Sequence, residues 1–492
     1  MKYETVVGLE VHAELATRSK MFCPCAVVDS TQVEPNTAVC PVCAGMPGML
    51  PVVNRLAVEY GIRVGLALEC QINLSSLFSR KNYFYPDLPK GYQISQYESP
   101  LAQFGCLAIP TPEGEKIIRI RRVHLEEDTG KLTHVEQDGQ SYSLVDLNRA
   151  GVPLLEIVSE PDLHTLDEVR AYATTLRSIL RTLGVNSGDM EKGVIRFEAN
   201  VSVRPAGSTE LGKRVEIKNL NSFRFMERAL AYEIERQINI YEAGGQVDQE
   251  TVGWNEAGGQ TFSQRSKEES HDYRYFSEPD LPPLVVEQEW VDQIGASLPE
   301  LPRAMVHRFQ AQYGLTPATA ALLVDDCAYA AYFEQAVQAG SEVAPAAIAL
   351  WGARVANWIT GELFNWLNQS GAAFDQVKVS PVGLVELLCM VDQGLINLPT
   401  AKTVFTEMLA TGQSAAAITA TRGLKQISDG GLIAGLVRQV LDASPQETAS
   451  FLAGKETLSN WFFGQVMKTA RGQANPQVLR TELERQLKAL KP

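Results

Sequence analysis

Positive charge is scarce in this sequence: 44 Lys and Arg stand against 58 Asp and Glu, a formal net charge of −14. A chain that coats nucleic acid over its whole surface is thereby excluded, because phosphate binding needs a surplus of cations. Long apolar runs are missing as well. Gly, Asp, Glu or Lys interrupts every candidate, so no membrane-spanning helix is expected. The opening Met1-Lys2-Tyr3-Glu4-Thr5-Val6-Val7 lacks the basic-then-apolar order of a signal peptide and reads as a strand, which points to the cytoplasm. Neither a Gly-rich dinucleotide fingerprint nor a Gly-x-Ser-x-Gly elbow occurs. The stretch Gly207-Ser208-Thr209-Glu210-Leu211-Gly212-Lys213-Arg214 nearly matches a P-loop. It ends in Arg where Ser or Thr should hold Mg²⁺, and it joins two alternating segments, so it reads as a hairpin loop. A bound nucleotide would then lie on a sheet face.

At 492 residues the chain is too long for one core. Up to about Pro283 it is strand-rich with two clear helices; beyond, it is Ala- and Leu-rich and helical. Ser297-Leu298-Pro299-Glu300-Leu301-Pro302 and Leu398-Pro399-Thr400 mark breaks, giving segments 1–295, 296–400 and 401–492. Charge is uneven between them. From Ala401 onward 11 Lys and Arg face 7 Asp and Glu, so nucleic acid is better sought in the last segment.

One helix begins at the capping box Thr165-Leu166-Asp167-Glu168 and stops at Gly184, with Val169, Ala173, Leu176, Leu180 and Leu183 as its apolar stripe. A second carries Met226, Leu230, Ile234, Ile238 and Tyr241 on one face and ends at Gly244-Gly245. Both stripes read as core contacts. The strands say more. In Val7 to Leu15 the odd positions are apolar, which turns Glu10, His12 and Glu14 to the other face. Ile195, Phe197, Ala199, Val201 and Val203 likewise alternate with Arg196, Glu198, Asn200, Ser202 and Arg204, and Val215 and Ile217 with Arg214, Glu216 and Lys218. Any half-solvated sheet shows such alternation. Glu156 is different: it sits in the apolar run Val152-Pro153-Leu154-Leu155-Glu156-Ile157-Val158, where a carboxylate needs a partner to offset its desolvation. A further acidic cluster, His124-Leu125-Glu126-Glu127-Asp128, closes the basic strand Arg119 to Val123.

Two constellations carry chemistry. Cys23, Cys25, Cys40 and Cys43 form two close pairs that can surround one tetrahedral Zn²⁺ in a closed, structural site; free or partly paired thiols are the plainer alternative. Glu10, Glu127, Glu156, Glu198 and Glu216, with His12, supply carboxylates of the kind that hold Mg²⁺ and a nucleotide. Arg196, Arg204, Lys218 and Lys81 are the cations available for phosphate charge.

At these residues the chain resembles the B-subunit family of aspartyl/glutamyl-tRNA amidotransferases. The resemblance rests on Gly8-Leu9-Glu10-Val11-His12, Arg80-Lys81-Asn82-Tyr83-Phe84-Tyr85-Pro86-Asp87, His124-Leu125-Glu126-Glu127-Asp128, Glu156-Ile157-Val158-Ser159-Glu160-Pro161-Asp162, Glu216-Ile217-Lys218-Asn219-Leu220-Asn221-Ser222-Phe223 and His271-Asp272-Tyr273-Arg274-Tyr275-Phe276. It implies an α+β chain: a glutamine-synthetase-like antiparallel-sheet cradle, an all-α helical domain and a small YqeY-like tail. It also implies phosphorylation, with ATP and Mg²⁺, of the side-chain carboxylate on Glu-tRNA(Gln) or Asp-tRNA(Asn). Ammonia from the glutaminase, or A, subunit then gives the amide, and the C subunit completes a heterotrimer. The family's metal positions fall on Glu10, His12, Glu127 and Glu156, and other pocket positions on Lys81, Glu198, Asn200 and Glu216; His124 and Glu126 would support them. Phe197-Glu198-Ala199-Asn200 departs from the frequent Cys-Asp-Ala-Asn, which moves the carboxylate outward by a methylene. The cysteines match only members that keep zinc. In the tail, Lys468, Arg471, Arg480, Arg485, Lys488 and Lys491 would meet tRNA phosphates; a solvated helix face is the alternative. The sequence also allows two competing functions, a stand-alone ligase for a small carboxylate and a non-catalytic scaffold that docks tRNA.

Overall fold

A computed structural model provides the fold and describes every residue except 1, 266–272, 344–347, 425, 428, 471, 491 and 492. Two compact units divide at Ala304/Met305. In the first, the strands are β1 (Tyr3–Glu14), β2 (Gln71–Ile72), β3 (Ser75–Ser76), β4 (Ser79–Asn82), β5 (Tyr92–Ser95), β6 (Ala102–Thr111), β7 (Gly114–Glu127) and β8 (Lys131–Gln137). They continue with β9 (Gln140–Asp146), β10 (Pro153–Ser159), β11 (Ile195–Pro205), β12 (Val215–Leu220), β13 (Glu250–Asn255), β14 (Gln260–Arg265), β15 (Phe276–Ser277) and β16 (Leu284–Val285). The main sheet has nine strands in the order β14-β13-β12-β11-β1-β10-β7-β6-β2. Neighbours run antiparallel except β12 and β13, so the sheet is mixed and not the purely antiparallel one expected.

Its alternation follows the sequence. Val7, Leu9, Val11 and Ala13, with Ile195, Phe197, Ala199 and Val201 beside them, are at most 1% exposed. Helices α1 (Arg55–Ala67), α2 (Leu166–Thr182) and α3 (Phe223–Glu242) belong to the same core. The α2 stripe is fully inside, each large apolar side chain contributing roughly 2 kcal/mol. Thr165 caps α2 by accepting from the Glu168 N–H at 3.1 Å, while the Glu168 carboxylate reaches past the cap residue to the His164 N–H at 2.7 Å. The α3 stripe differs from its pattern. Met226 and Leu230 are buried, but further along the most buried positions are Glu233 and Gln237. Glu233 is admitted because Arg236, Gln237 and Thr261 all donate to it, which offsets the desolvation of its carboxylate. The near-P-loop segment does join two antiparallel strands, β11 and β12.

The second unit is helical. One of its cores runs from Phe309 to Ile418 and another from Ile433 to Leu487. Leu398–Thr411 is a helix of the former core, with Asn397 as its N-cap and Pro399 in its first turn. Pro399 therefore starts a helix, a position that tolerates proline, and core packing carries on past residue 400. Pro302 likewise opens the helix Pro302–Tyr313. Among the described residues no helix is long and apolar enough to cross a membrane.

Candidate active site and cysteine centre

Strand register brings the polar face together. His12 lies opposite Glu156 and Arg196; Glu10 lies opposite Glu198; Asn200 lies opposite Glu216; Glu156 lies opposite His124. Two groups with metal-ligand spacing result. One is His12, Glu126 and Glu156, the other Glu10, Glu198 and Glu216; within each, one ligand atom per residue lies within 4.8 Å of the rest. The all-carboxylate group suits a hard, oxygen-seeking cation, and the imidazole of the first widens its choice of metal.

Glu127, expected among these ligands, is in neither group. It shares strand parity with the buried Val123 and Leu125, and it is engaged elsewhere by Lys90 and by the Ile94 N–H at 2.9 Å. Glu126 takes the place given to Glu127, and His124 stands with it. Parity along Arg122, His124 and Glu126 was the available signal, masked by two adjacent glutamates.

The electrostatics of the first group are those of a site balanced by its own side chains. Burial alone would lower the His12 pKa, but its hydrogen bond to Glu156 and the charges of Glu156, Glu198 and Glu126 lift it to about 9. His124 is also raised against burial, by Glu156 and Glu126. Burial would raise Glu156, yet His124 and His12 hold it well below the usual carboxylate range. The His12 and His124 Nε2 atoms stand 3.5 and 3.3 Å from the Glu156 carboxylate. In the second group, Glu10 is pushed up by burial and then by Glu156, Glu198 and Glu216, with only Asn200, donating at 2.8 Å, in opposition. A carboxyl in that situation gains from any added cation, so the residues fit a metal ion.

The expected cations divide. Lys218 bridges Glu198 at 2.7 Å and Glu216 at 3.2 Å, inside the second group. Lys81 is set over the first. Burial would lower its pKa, and Glu126, Tyr275 and Glu156 raise it instead. Its ammonium lies 5.0 Å from the Tyr273 ring centre and 5.9 Å from that of Tyr83. The small sheet β15-β4-β5 fixes this placement. Arg80 makes a bidentate pair to the buried Glu278, both contacts at 2.7 Å, and the Asn82 N–H donates to the Tyr273 carbonyl. Arg196, in contrast, is committed to Asp128 at 2.9 Å and Glu14 at 3.6 Å. Arg204 pairs with Glu4 at 3.2 Å, six residues and about 20 Å along the strand from Glu198. Both guanidiniums are thus engaged by acids outside the two carboxylate groups.

The four cysteines also meet. Cys23, Cys25, Cys40 and Cys43 place their sulfurs within 4.8 Å of one another, and none is disulfide-bonded. Cys43 Sγ is 4.0 Å from that of Cys25 and 3.8 Å from that of Cys40. Four sulfurs at ~2.3 Å from one Zn²⁺ would be about 3.8 Å apart, so the set fits a tetrahedral thiolate centre. Cys43 is held down, to about 4, first by the hydrogen bond from Cys23, against burial, with the Cys40 N–H and the Lys20 charge adding to it.

Residues 5–292 match the GatB/GatE catalytic domain, and residues 331–487 match a GatB domain. The chain belongs to the GatB/GatE family. Members named as the B subunit of aspartyl/glutamyl-tRNA(Asn/Gln) amidotransferase are similar to it end to end. The one from Thermodesulfovibrio yellowstonii is 51% identical over 481 residues, covering 97% of this chain and 98% of that one. The Roseiflexus sp. relative is 50% identical over 491 residues, 99% of each chain. The one from Myxococcus xanthus is 48% identical over 485 residues, 99% of this chain and 98% of the other.

Of the residues marked for tRNA, Lys468, Arg480, Arg485 and Lys488 are exposed, on helices Leu458–Thr469 and Pro476–Ala489 of the last core. Arg485 is paired with Glu482 at 2.7 Å. Arg471 and Lys491 lie outside the described residues, as do His271 and Asp272 of the sixth motif.

Proposed function

We propose that this chain is the B subunit of a tRNA-dependent amidotransferase, a glutamine-dependent carbon–nitrogen ligase that activates the side-chain carboxylate of Glu-tRNA(Gln) or Asp-tRNA(Asn) with ATP. One observation carries the reading: six potential ligands from five strands gather on a single sheet face, in a chain about half identical to relatives named for this reaction. A cradle of the glutamine-synthetase type suits it, with ATP lying on the polar face. A divalent cation such as Mg²⁺, held by His12, Glu126 and Glu156 or by Glu10, Glu198 and Glu216, would neutralise phosphate oxygens.

The chemistry asks little else of the protein. A carboxylate oxygen of the aminoacyl group bonds to the γ-phosphorus while the bond to ADP breaks. Ammonia then attacks the acyl carbon, phosphate leaves with that oxygen, and a proton is lost from nitrogen. Lys81, kept charged by Glu126 and Glu156, meets the negative charge that builds on the transferred group. Asn200 orients Glu10, and Lys218 holds the Glu198 pKa down while also pairing with Glu216. We assign ammonia release to the glutaminase (A) subunit, with the C subunit in the same cytoplasmic heterotrimer, and tRNA backbone contacts to Lys468, Arg480, Arg485 and Lys488, with Arg471 among them. The cysteine centre is assigned a structural Zn²⁺. The catalytic segment is taken as 1–295, followed by a helical domain and a YqeY-like tail.

Isotope transfer tests the mechanism. With the side-chain carboxylate of the misacylated tRNA labelled with ¹⁸O, the assembled complex should move one labelled oxygen into phosphate when ATP, Mg²⁺ and ammonia are present. Amide formation with unlabelled phosphate would overturn the acyl-phosphate reading, and equal turnover of free glutamate would overturn the tRNA-dependent one.

A further inference from the structure

Lys20 is 1% exposed, an extreme for a residue type almost never fully buried without a partner. Its ammonium uses three directions. Nζ donates to the Ala38 carbonyl at 2.8 Å, to the Leu147 carbonyl at 3.2 Å and to Cys43 Sγ at 3.6 Å. Two carbonyls satisfy hydrogen bonds but carry no net charge, and a buried ammonium without an anion is costly. No described ion pair joins Lys20 to a carboxylate. The anion within its reach is the Cys43 sulfur.

The neighbouring turn packs against this contact at ordinary van der Waals distance. A side chain at Gly151 would lie 3.5 Å from the Cys43 Cβ and 3.6 Å from the Lys20 Cδ, and the Gly151 φ of +84° favours glycine in any case. The Met21 N–H donates to the Gly151 carbonyl at 2.7 Å, and the Gly151 N–H donates to the Asp128 carbonyl at 2.9 Å. Lys20 therefore sits at the join between the cysteine loop and the turn that leads into β10.

From this geometry we infer that Lys20 is the counter-cation of the four-cysteine centre, acting on the metal through an N–H···S contact to Cys43. The inference rests on the reading of that centre as a metal site. Four thiolates around a divalent cation leave a net charge of two negatives in a partly buried loop. Lys20 neutralises one of them and draws electron density from one sulfur. It is a positioning residue, since it touches a ligand and not the metal. Outer-shell partners of this kind typically set about 10- to 100-fold in metal affinity.

The test uses the assembled complex, loaded with Zn²⁺ and, separately, with Co²⁺. Competition with a chelator gives the zinc dissociation constant for wild type, Lys20→Met and Lys20→Arg. Lys20→Met should raise it by about 10- to 100-fold, and Lys20→Arg, which keeps the charge, should recover most of the loss. In the Co²⁺ form, losing the N–H···S contact should move the sulfur-to-cobalt charge-transfer bands to lower energy in Lys20→Met and much less in Lys20→Arg. A merely structural lysine would lower thermal stability without moving those bands. Should Lys20→Met fail to fold, Lys20→Gln is read in its place. Equal zinc affinity and unshifted bands in folded neutral variants would overturn the role of Lys20 alone. Wild-type protein that binds no metal at the cysteines would overturn the metal reading, and the inference with it.

Discussion

The polar sheet face and the cysteine loop both gather groups that could hold a metal ion, and they do so in opposite ways. The loop draws its four ligands from Cys23 to Cys43, close in sequence, and collects soft sulfurs that suit one closed coordination shell. The sheet draws His12, Glu126, Glu156, Glu10, Glu198 and Glu216 from strands far apart in the chain, and offers mainly oxygen. In the loop, one buried lysine, Lys20, donates to a single ligand sulfur. On the sheet, the two histidines hold the pKa of Glu156 down and Lys218 does the same for Glu198, against their burial. A closed shell that leaves no position for substrate serves folding; an open face whose charges are provisional can exchange ligands and serve turnover.

The largest effect that would break this contrast lies on the sheet. Glu156→Gln should cut tRNA-dependent ATP turnover by more than about 100-fold, beyond the loss usual for outer-shell partners, while the fold persists. Glu127→Gln is the control. Its carboxylate faces Lys90 and the Ile94 N–H, outside both groups, so metal affinity should stay within a few-fold of wild type, read by Mn²⁺ titration of the complex. A collapse of Mn²⁺ binding in Glu127→Gln with no change in Glu156→Gln would reverse the assignment.

Next in size is the loop. Stripping the proposed Zn²⁺ with a chelator should open 26–50 to proteases and make all four thiols reactive, while the sheet melts within a few degrees of its original temperature. Parallel loss of loop and sheet would show that the two regions form one cooperative unit and would undo the distinction. Smaller again is the support of Lys81. Glu278→Gln leaves Arg80 half-paired in a buried setting and should cost about 3 kcal/mol in stability. It should also raise the ATP requirement more than it lowers the maximal rate, as steady-state kinetics would resolve.

Legibility in the sequence follows the same contrast. Cysteine spacing is a local signal, and the four sulfurs meet as the spacing predicts. Glu10, His12, Glu156, Glu198 and Glu216 were legible through period-two alternation and the anomaly of a carboxylate in an apolar run. Glu126 was not separated from Glu127, because which of two adjacent glutamates faces the site depends on where strand parity is counted from. Arg196 and Arg204 share the polar face, and each pairs with acids outside the two groups. Alternation fixes a face, but distance along a strand and competing acids such as Asp128 and Glu4 decide what a side chain does there. Lys20 gave no signal at all, since burial of a single lysine leaves no trace in periodicity.

The smallest prediction sits where the two regions meet, at the end of β1. Glu14 faces Asp128 across Arg196 and Arg149. Burial raises its pKa, then Asp128 adds to the rise, and Arg196 and Arg149 only partly offset it, leaving it near 7. Asp128 is shifted the other way: burial would raise it, but both arginines hold it below its usual value. Between roughly pH 4.5 and 7 the folded protein thus keeps a proton on Glu14 that the unfolded chain has released. The folded state binds more protons in that window, so this group's contribution to stability falls as pH rises through it and levels off above 7. Glu14→Gln removes that dependence. Relative to wild type, the variant should therefore gain stability from pH 5 to pH 8, by about 2 kcal/mol, in denaturant titrations at both pH values. A gain that is the same at both would mean that Glu14 is ionised throughout and that Arg196 serves it as fully as it serves Asp128.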